Sequence, residues 1–225
     1  MEKLLYNRYD KSLIPQLPRV VFQGRIVVVQ SAGEAERAVD YLLSCDLLGI
    51  DSETRPSFRR GENHKVSLLQ VSTRDICFLF RLNMTGLTPS LLRLLEDTTV
   101  PKVGLSLQDD MLMLHKRTAF TPGLFIDLQH EVKRIGIEDM SLQKLYANFF
   151  GMRIRKREQL SNWERDVLTD AQKLYAATDA WACISLYEEL LRLEATGDYR
   201  LVVVPDPVQP QQQASDITNE TPLQQ

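Results

Sequence analysis

The stretch LLGIDSE, Leu47 to Glu53, constrains this chain more than any other, because an apolar run ends abruptly in two carboxylates one residue apart. Side chains alternate faces along a strand, so Asp51 and Glu53 point the same way, and at the strand's end they meet solvent rather than core. The polar end of an ordinary strand has that form, and so does a metal site. Two distant features favour the metal site: Tyr175 and Asp179 form a second polar pair downstream, and Asp110 is a candidate fourth ligand.

The remaining pattern predicts the frame around that strand. A length of 225 residues allows one core of about 150 to 200 residues rather than two full domains. RIVVVQ at 25–30 is rich in β-branched residues and reads as a strand; Ser31 and Glu34 then have the spacing of a capping box for a helix running to about Ser44. The next strand, Leu47 to Asp51 or slightly beyond, is limited by Pro56. KVSLLQVS at 65–72 and ICFLFRL at 76–82, joined by three residues, predict a hairpin. Thr88 and Pro89 open a short helix, and residues 101–105 form a brief strand reached through it, hence parallel to its neighbour. FIDL at 125–128 is a last short strand or an extended link. Ser141 to Phe150 is a helix stopped by Gly151, and residues 168–195 form the longest helix, opened by capping-box spacing between Thr169 and Gln172. This is an α/β chain with a mixed central sheet flanked by helices. Residues 1–22 read as an arm that packs or stays mobile, 23–200 as the folded domain, and LVVV at 201–204 as an edge strand or a segment packed on the body. Residues 205–225, with four prolines, six glutamines and no aromatic residue, read as a flexible tail.

Within this frame Asp109 and Asp110 fall in the first turns of a helix after the 101–105 strand. Helix capping suits both, yet they face different directions, and only Asp110 borders the apolar face of Met111 and Leu114. Asp110 is therefore assigned to the site and Asp109 to the cap or surface. Tyr175 and Asp179, four apart, share one helical face, where an aspartate in mid-helix is not explained by propensity. These four acids make an all-oxygen site suited to magnesium or manganese, whereas zinc sites usually recruit His or Cys. Clustered carboxylates repel without cations, and two divalent ions about 3.5 to 4 Å apart can clamp the oxygens of a phosphoryl transfer. The site composition points to metal-assisted phosphodiester hydrolysis. Two basic stretches are candidate phosphate contacts: Arg55, Phe58, Arg59, Arg60 and Lys65 in the loop leaving the Asp51 strand, and Arg153, Arg155, Lys156 and Arg157. A solvated charge run is the alternative for each. The net charge of −3 argues against a large basic binding face but does not exclude such local patches. No apolar run is long enough for a membrane span, and Met1 to Asp10 lacks the apolar run of a signal peptide. The odd, scattered Cys45, Cys77 and Cys183 suggest buried thiols in a reducing, cytoplasmic setting. There is no Walker glycine loop and no CxxC zinc pattern, and the three histidines lack ligand spacing.

Taken together, DSE at 51–53, KVGLSLQDD at 102–110, LSNWE at 160–164 and LYAATDAWA at 174–182 resemble the DEDD-type 3′-5′ exonuclease family with a catalytic tyrosine, most closely its ribonuclease D and Werner-helicase exonuclease branch. The resemblance covers about residues 23–194. It implies a ribonuclease H-like fold and release of nucleoside monophosphates from the 3′ end of DNA or RNA with two divalent cations. Asp51, Glu53 and Asp179 would hold the first ion, Asp51 would reach the second, Asp110 would support the second directly or through water, and Tyr175 would position the attacking water. The helical domain that follows the nuclease in typical ribonuclease D proteins is not found, so substrate affinity would come from this domain or from a protein partner. A non-catalytic nucleic-acid-binding module that keeps the fold is the alternative.

Overall fold

The computed structural model describes residues 2–59, 61–155 and 157–205. Its strands are β1 (Lys3–Tyr6), β2 (Arg25–Val29), β3 (Leu48–Glu53), β4 (Leu68–Ser72), β5 (Ile76–Phe80), β6 (Lys102–Gly104), β7 (Phe125–Asp127) and β8 (Tyr199–Val202). The helices are α1 (Ala32–Leu42), α2 (Leu82–Thr85), α3 (Pro89–Glu96), α4 (Leu107–His115), α5 (Leu128–Glu131), α6 (Leu142–Phe150) and α7 (Asp170–Thr196). Six strands form the central sheet in the order β2-β5-β4-β3-β6-β7, and β4 runs against the others. The expected hairpin is β4-β5, and β6 is parallel to β3 as its helical crossover requires. The predicted mixed sheet with helical cover is therefore present. The strand predicted over 65–72 is shorter, at Leu68–Ser72.

Alternation decides which helices cover which face. Leu48 and Ile50 of β3, Leu69 and Val71 of β4 and Phe80 of β5 pack with α1, α3 and α4. The intervening positions turn the other way: Leu68, Cys77 and Leu79 meet Ala176 and Ala177 of α7, while Val103 joins a core with α5, α6 and the rest of α7. Helix α7 is the long helix expected from the capping box, which forms in full between Thr169 and Gln172, and it stops at Gly197 with φ 68°.

The contact between β3 and α7 is unusually close. A Cβ on Gly49 would lie 2.0 Å from the carbonyl oxygen of Ala180, so the helix backbone rests directly on the strand where no side chain intervenes. Gly49 is on the same face as Asp51 and Glu53, and Ala180 follows Asp179. The small pair thus brings the strand acids and the helix acid to one place.

The first residues form a packed arm. Strand β1 pairs in parallel with β8, making a small second sheet, so the segment read as LVVV does not extend the central one. The Asn148 side chain brackets Tyr6, accepting from its N–H at 3.0 Å and donating to its carbonyl at 2.7 Å. Further along, the N–H of Phe22 donates to Thr178 Oγ1 at 3.1 Å, tying the arm to α7 beside Asp179. Cys77 and Cys183 are buried as expected, while Cys45 is half-buried; all three are free. Among the described residues no helix is long and apolar enough to cross a membrane. The flexible tail expected over 205–225 lies outside the described residues except for Pro205.

Replacing Gly49 by Ala forces α7 off the strand and is expected to lower stability by about 1–3 kcal/mol, the usual cost of overpacking a filled core. Denaturant unfolding measures this, and wild-type stability in the variant contradicts the close contact.

Candidate active site

Asp51 and Glu53 project from the end of β3 toward α7, and Asp179 meets them from the helix. One carboxylate oxygen from each lies within 4.8 Å of the others. Glu53 and Asp179 are buried, and Asp51 is half-buried. Gln70, directly opposite Asp51 in the β3-β4 ladder and fully buried, donates from Nε2 to Asp51 Oδ2 at 3.1 Å. Burial pushes the Glu53 carboxyl up to about 10, reinforced by Asp51 and Asp179. Burial also drives Asp51 well above the ordinary carboxylate range, with Asp110 and Asp179 adding to it. Three hard oxygen donors packed this closely fit a divalent cation, whose charge offsets their mutual repulsion.

Asp110 approaches from the opposite side of the sheet. The alternation that points Asp51 and Glu53 at α7 points Ser52 at α4, and there the Ser52 hydroxyl donates to Asp110 Oδ1. Asp110 therefore borders the strand end as expected but stands outside the tight group of three. Burial raises its pKa to about 6, against the opposing pull of the Ser52 hydrogen bond. Asp109 is exposed, in keeping with a surface role. The start of α4 is unusual: Ser106 has φ 60°, in the left-handed region that L residues rarely adopt. Asp127 holds this turn by accepting from Ser106 N–H at 3.1 Å and Leu107 N–H at 2.8 Å, while Gln129 donates to the Ser106 hydroxyl. Asp127 and Gln70 were not singled out from sequence. The signal available for Asp127 was its place at the end of a strand parallel to the Asp51 strand.

Tyr175 stands one turn before Asp179, and its hydroxyl donates to that carboxylate. Burial, then Asp179 and Glu53, push the phenol far up, so it stays protonated without a cation. The ring packs on the buried Trp163, with centroids 6.1 Å apart. Trp163 sits in a segment secured from several sides. Gln172 Nε2 donates to Ser161 Oγ and the Asn162 carbonyl, and the buried Arg81 guanidinium donates to the carbonyls of Arg165 and Asp166. The tyrosine and the three clustered acids line a cavity of about 260 Å³ with Leu105, Met140 and Ile154.

The basic candidates divide. Arg55 is engaged by Glu164, with Nη1 to Oε2 at 3.2 Å, and His64 binds the other oxygen of Glu164 at 3.1 Å. Arg55 thus clips its loop to the Trp163 segment, which differs from the unpaired phosphate contact expected. Phe58 is 80% exposed, and Arg59 and Lys65 are exposed beside it; Arg60 lies outside the described residues. In the second stretch Arg153 is half-buried, Ile154 is buried, and Arg155 and Arg157 are exposed; Lys156 lies outside the described residues.

Residues 26–193 match the family described as 3′-5′ exonuclease. The chain belongs to the 3′-5′ exonuclease family. It is similar to the bifunctional 3′-5′ exonuclease/ATP-dependent helicase WRN of Mus musculus, 30% identical over 191 residues that cover 80% of this chain but 14% of that protein. A 3′-5′ exonuclease of Arabidopsis thaliana is 31% identical over 189 residues, covering 77% of this chain and 66% of its own length. The fold of this exonuclease family member is like that of the Aedes aegypti Nibbler EXO domain, with TM-score 0.69, 21% identity and coverage of 84% of this chain and 92% of that one. It is also like that of Escherichia coli RNase D, with TM-score 0.68, 18% identity and coverage of 78% and 46%. The architecture is the ribonuclease H-like one expected.

The raised pKa values of this exonuclease family member predict a coupling of cation, proton and stability. The stability carried by protonated Glu53 is full below its ordinary value of 4.5 and is lost as pH rises toward about 10. In chelator the melting temperature should therefore fall across that window, and manganese should reduce the fall while releasing protons, seen as buffer-dependent heats of binding. A flat profile in chelator with no proton release contradicts this electrostatic account.

Proposed function

We propose that the chain hydrolyses phosphodiester bonds one at a time from the 3′ end of DNA or RNA and releases nucleoside monophosphates. The observation that carries this reading is the group of three carboxylates, from two elements in contact, with a tyrosine hydroxyl one helical turn away. Two divalent cations, magnesium or manganese, would supply charge neutralisation at the phosphoryl oxygens and lower the pKa of a water so that hydroxide is available to attack. Asp51, Glu53 and Asp179 would hold one of them, and Asp51 with Asp110 would hold the other. Gln70 fixes the Asp51 carboxylate. Tyr175, kept protonated by its surroundings, acts as a hydrogen-bond donor that orients the attacking water rather than as a base. Phe58, Arg59 and Lys65 offer ring and charge to the strand, and the free thiols suit a reducing, cytoplasmic setting.

The direct test is a 5′-labelled single strand with magnesium, manganese or chelator. A ladder shortened stepwise from the 3′ end, absent in chelator, supports the proposal, and an undegraded strand under all conditions refutes it. Asp51→Asn retains side-chain size and removes the shared charge, so it should abolish hydrolysis in a folded protein. Asp110→Asn should lose activity while Asp109→Asn keeps most of it; the reverse ranking shows that the wrong member of the pair was assigned.

Tyr175→Phe keeps the packing on Trp163 and removes the hydroxyl. Single-turnover cleavage should slow about 10-fold or more, on the order of 1.4 kcal/mol in barrier, with oligonucleotide affinity nearly unchanged. A wild-type chemical step in this variant makes Tyr175 a packing residue.

A further inference from the structure

The arm does more than close the small sheet. Residues 18–20 run alongside Arg153: the N–H of Arg153 donates to the Pro18 carbonyl at 2.9 Å, and the N–H of Val20 donates to the Arg153 carbonyl at 3.1 Å. This pairing sets Arg19 beside the second basic stretch. There a cavity of about 540 Å³ opens, lined by Arg19, Arg155 and Arg157 on one side and the first turns of α7 on the other. It shares Ile154 and Tyr175 with the acidic cavity, so the tyrosine and isoleucine form the wall between a carboxylate compartment and a guanidinium compartment. A further cavity of about 480 Å³ continues from Arg155 and Arg157 to Lys11, again on the arm.

Arginines outnumber carboxylates in this second compartment. Several arginines elsewhere are engaged by carboxylates, as Arg74 is by Asp46 and Glu188 and Arg93 by Asp40, while others on the surface are not. Among the described residues no ion pair engages Arg19, Arg153, Arg155 or Arg157. Glu158 and Asp170 also line the cavity, but Asp170 is held by Lys173 at 2.7 Å. Converging unpaired guanidinium groups next to a site for phosphodiester cleavage call for an anionic chain.

We propose that the arm builds a second compartment of the substrate channel, in which Arg19, Arg155 and Arg157 hold the backbone phosphates of a single strand while its 3′ end lies among the acids. This rests on the exonuclease reading and adds a substrate class to it: a single-stranded 3′ extension, since the two compartments meet at Ile154 and Tyr175 and one strand can lie across both. Phosphate contacts carry little base information, so DNA and RNA strands both fit.

The test separates binding from chemistry. Affinity for fluorescent eight-residue oligodeoxythymidylate and oligouridylate is measured in chelator at several salt concentrations, with a blunt duplex as the third arm. Both single strands should bind at least 10-fold more tightly than the duplex. Neutralising Arg19, Arg155 and Arg157 to Gln should weaken single-strand binding at least 10-fold and reduce the salt slope by about 2, near 0.7 per phosphate. Arg19→Gln alone, which leaves the second basic stretch intact, should account for part of the loss, and Arg19→Lys should restore it. Binding and slope unchanged by Arg19→Gln, or a preference for the duplex, overturn the proposal. Oligonucleotide binding that depends on Arg19 without cleavage in magnesium or manganese would instead reject the exonuclease reading and leave the channel standing.

Discussion

The structure depends on one close approach, the seating of α7 on β3 at Gly49 and Ala180. Helices and sheets normally meet through side chains, and at the ordinary separation Asp179 would stand away from the strand acids. Without a Cβ at residue 49, the Ala180 carbonyl comes down onto the strand. Ala176 and Ala177 keep the neighbouring part of the helix equally slim against β4 and β5. Stabilising apolar contacts on both sides of this line hold together a trio of carboxylates that repel one another, so the core works against the electrostatics of the site. That opposition makes the protein a receptor for cations.

The opposing faces of the sheet divide the remaining work. On the α7 face lie the three clustered acids, Gln70 and Tyr175, backed by Trp163. On the α4 face Asp110 is aimed by a turn that Asp127 and Gln129 hold in a left-handed conformation at Ser106. Strand β3 is the partition, and its last residues are read from both sides because alternate side chains leave in opposite directions. Loops that frame the opening are fastened by polar groups, of which Arg81 is fully buried. Glu164 joins Arg55 and His64 across the two loops, and Arg81 spends its guanidinium on backbone carbonyls. These ties explain why a segment with few apolar residues can still place Trp163 under Tyr175.

Much of this was legible in the sequence, and for identifiable reasons. Period-two alternation revealed β3 and its two acids, four-residue spacing paired Tyr175 with Asp179, and capping chemistry located the starts of α1, α3 and α7. Choosing Asp110 over Asp109 followed from its place beside the apolar face of α4. What escaped was long-range. Gln70 matters because the β3-β4 register places it opposite Asp51, and register is not written in either strand alone. Asp127 matters through a turn twenty residues away, and the role of Gly49 depends on which helix lands on it. Arg55 looked like a free cation because its partner, Glu164, is more than a hundred residues distant in the chain. The arm, with its irregular polarity, gave no sign that β1 would pair with β8.

Metal affinity in this fold depends on the strand-helix contact as well as on the three carboxylates. Manganese titration of Gly49→Ala, at a temperature where the variant is folded, tests that claim most directly. All ligands are present in the variant, so any loss comes from their spacing. Affinity at least 10-fold weaker than wild type is the predicted result, and wild-type affinity in the folded variant would contradict the account.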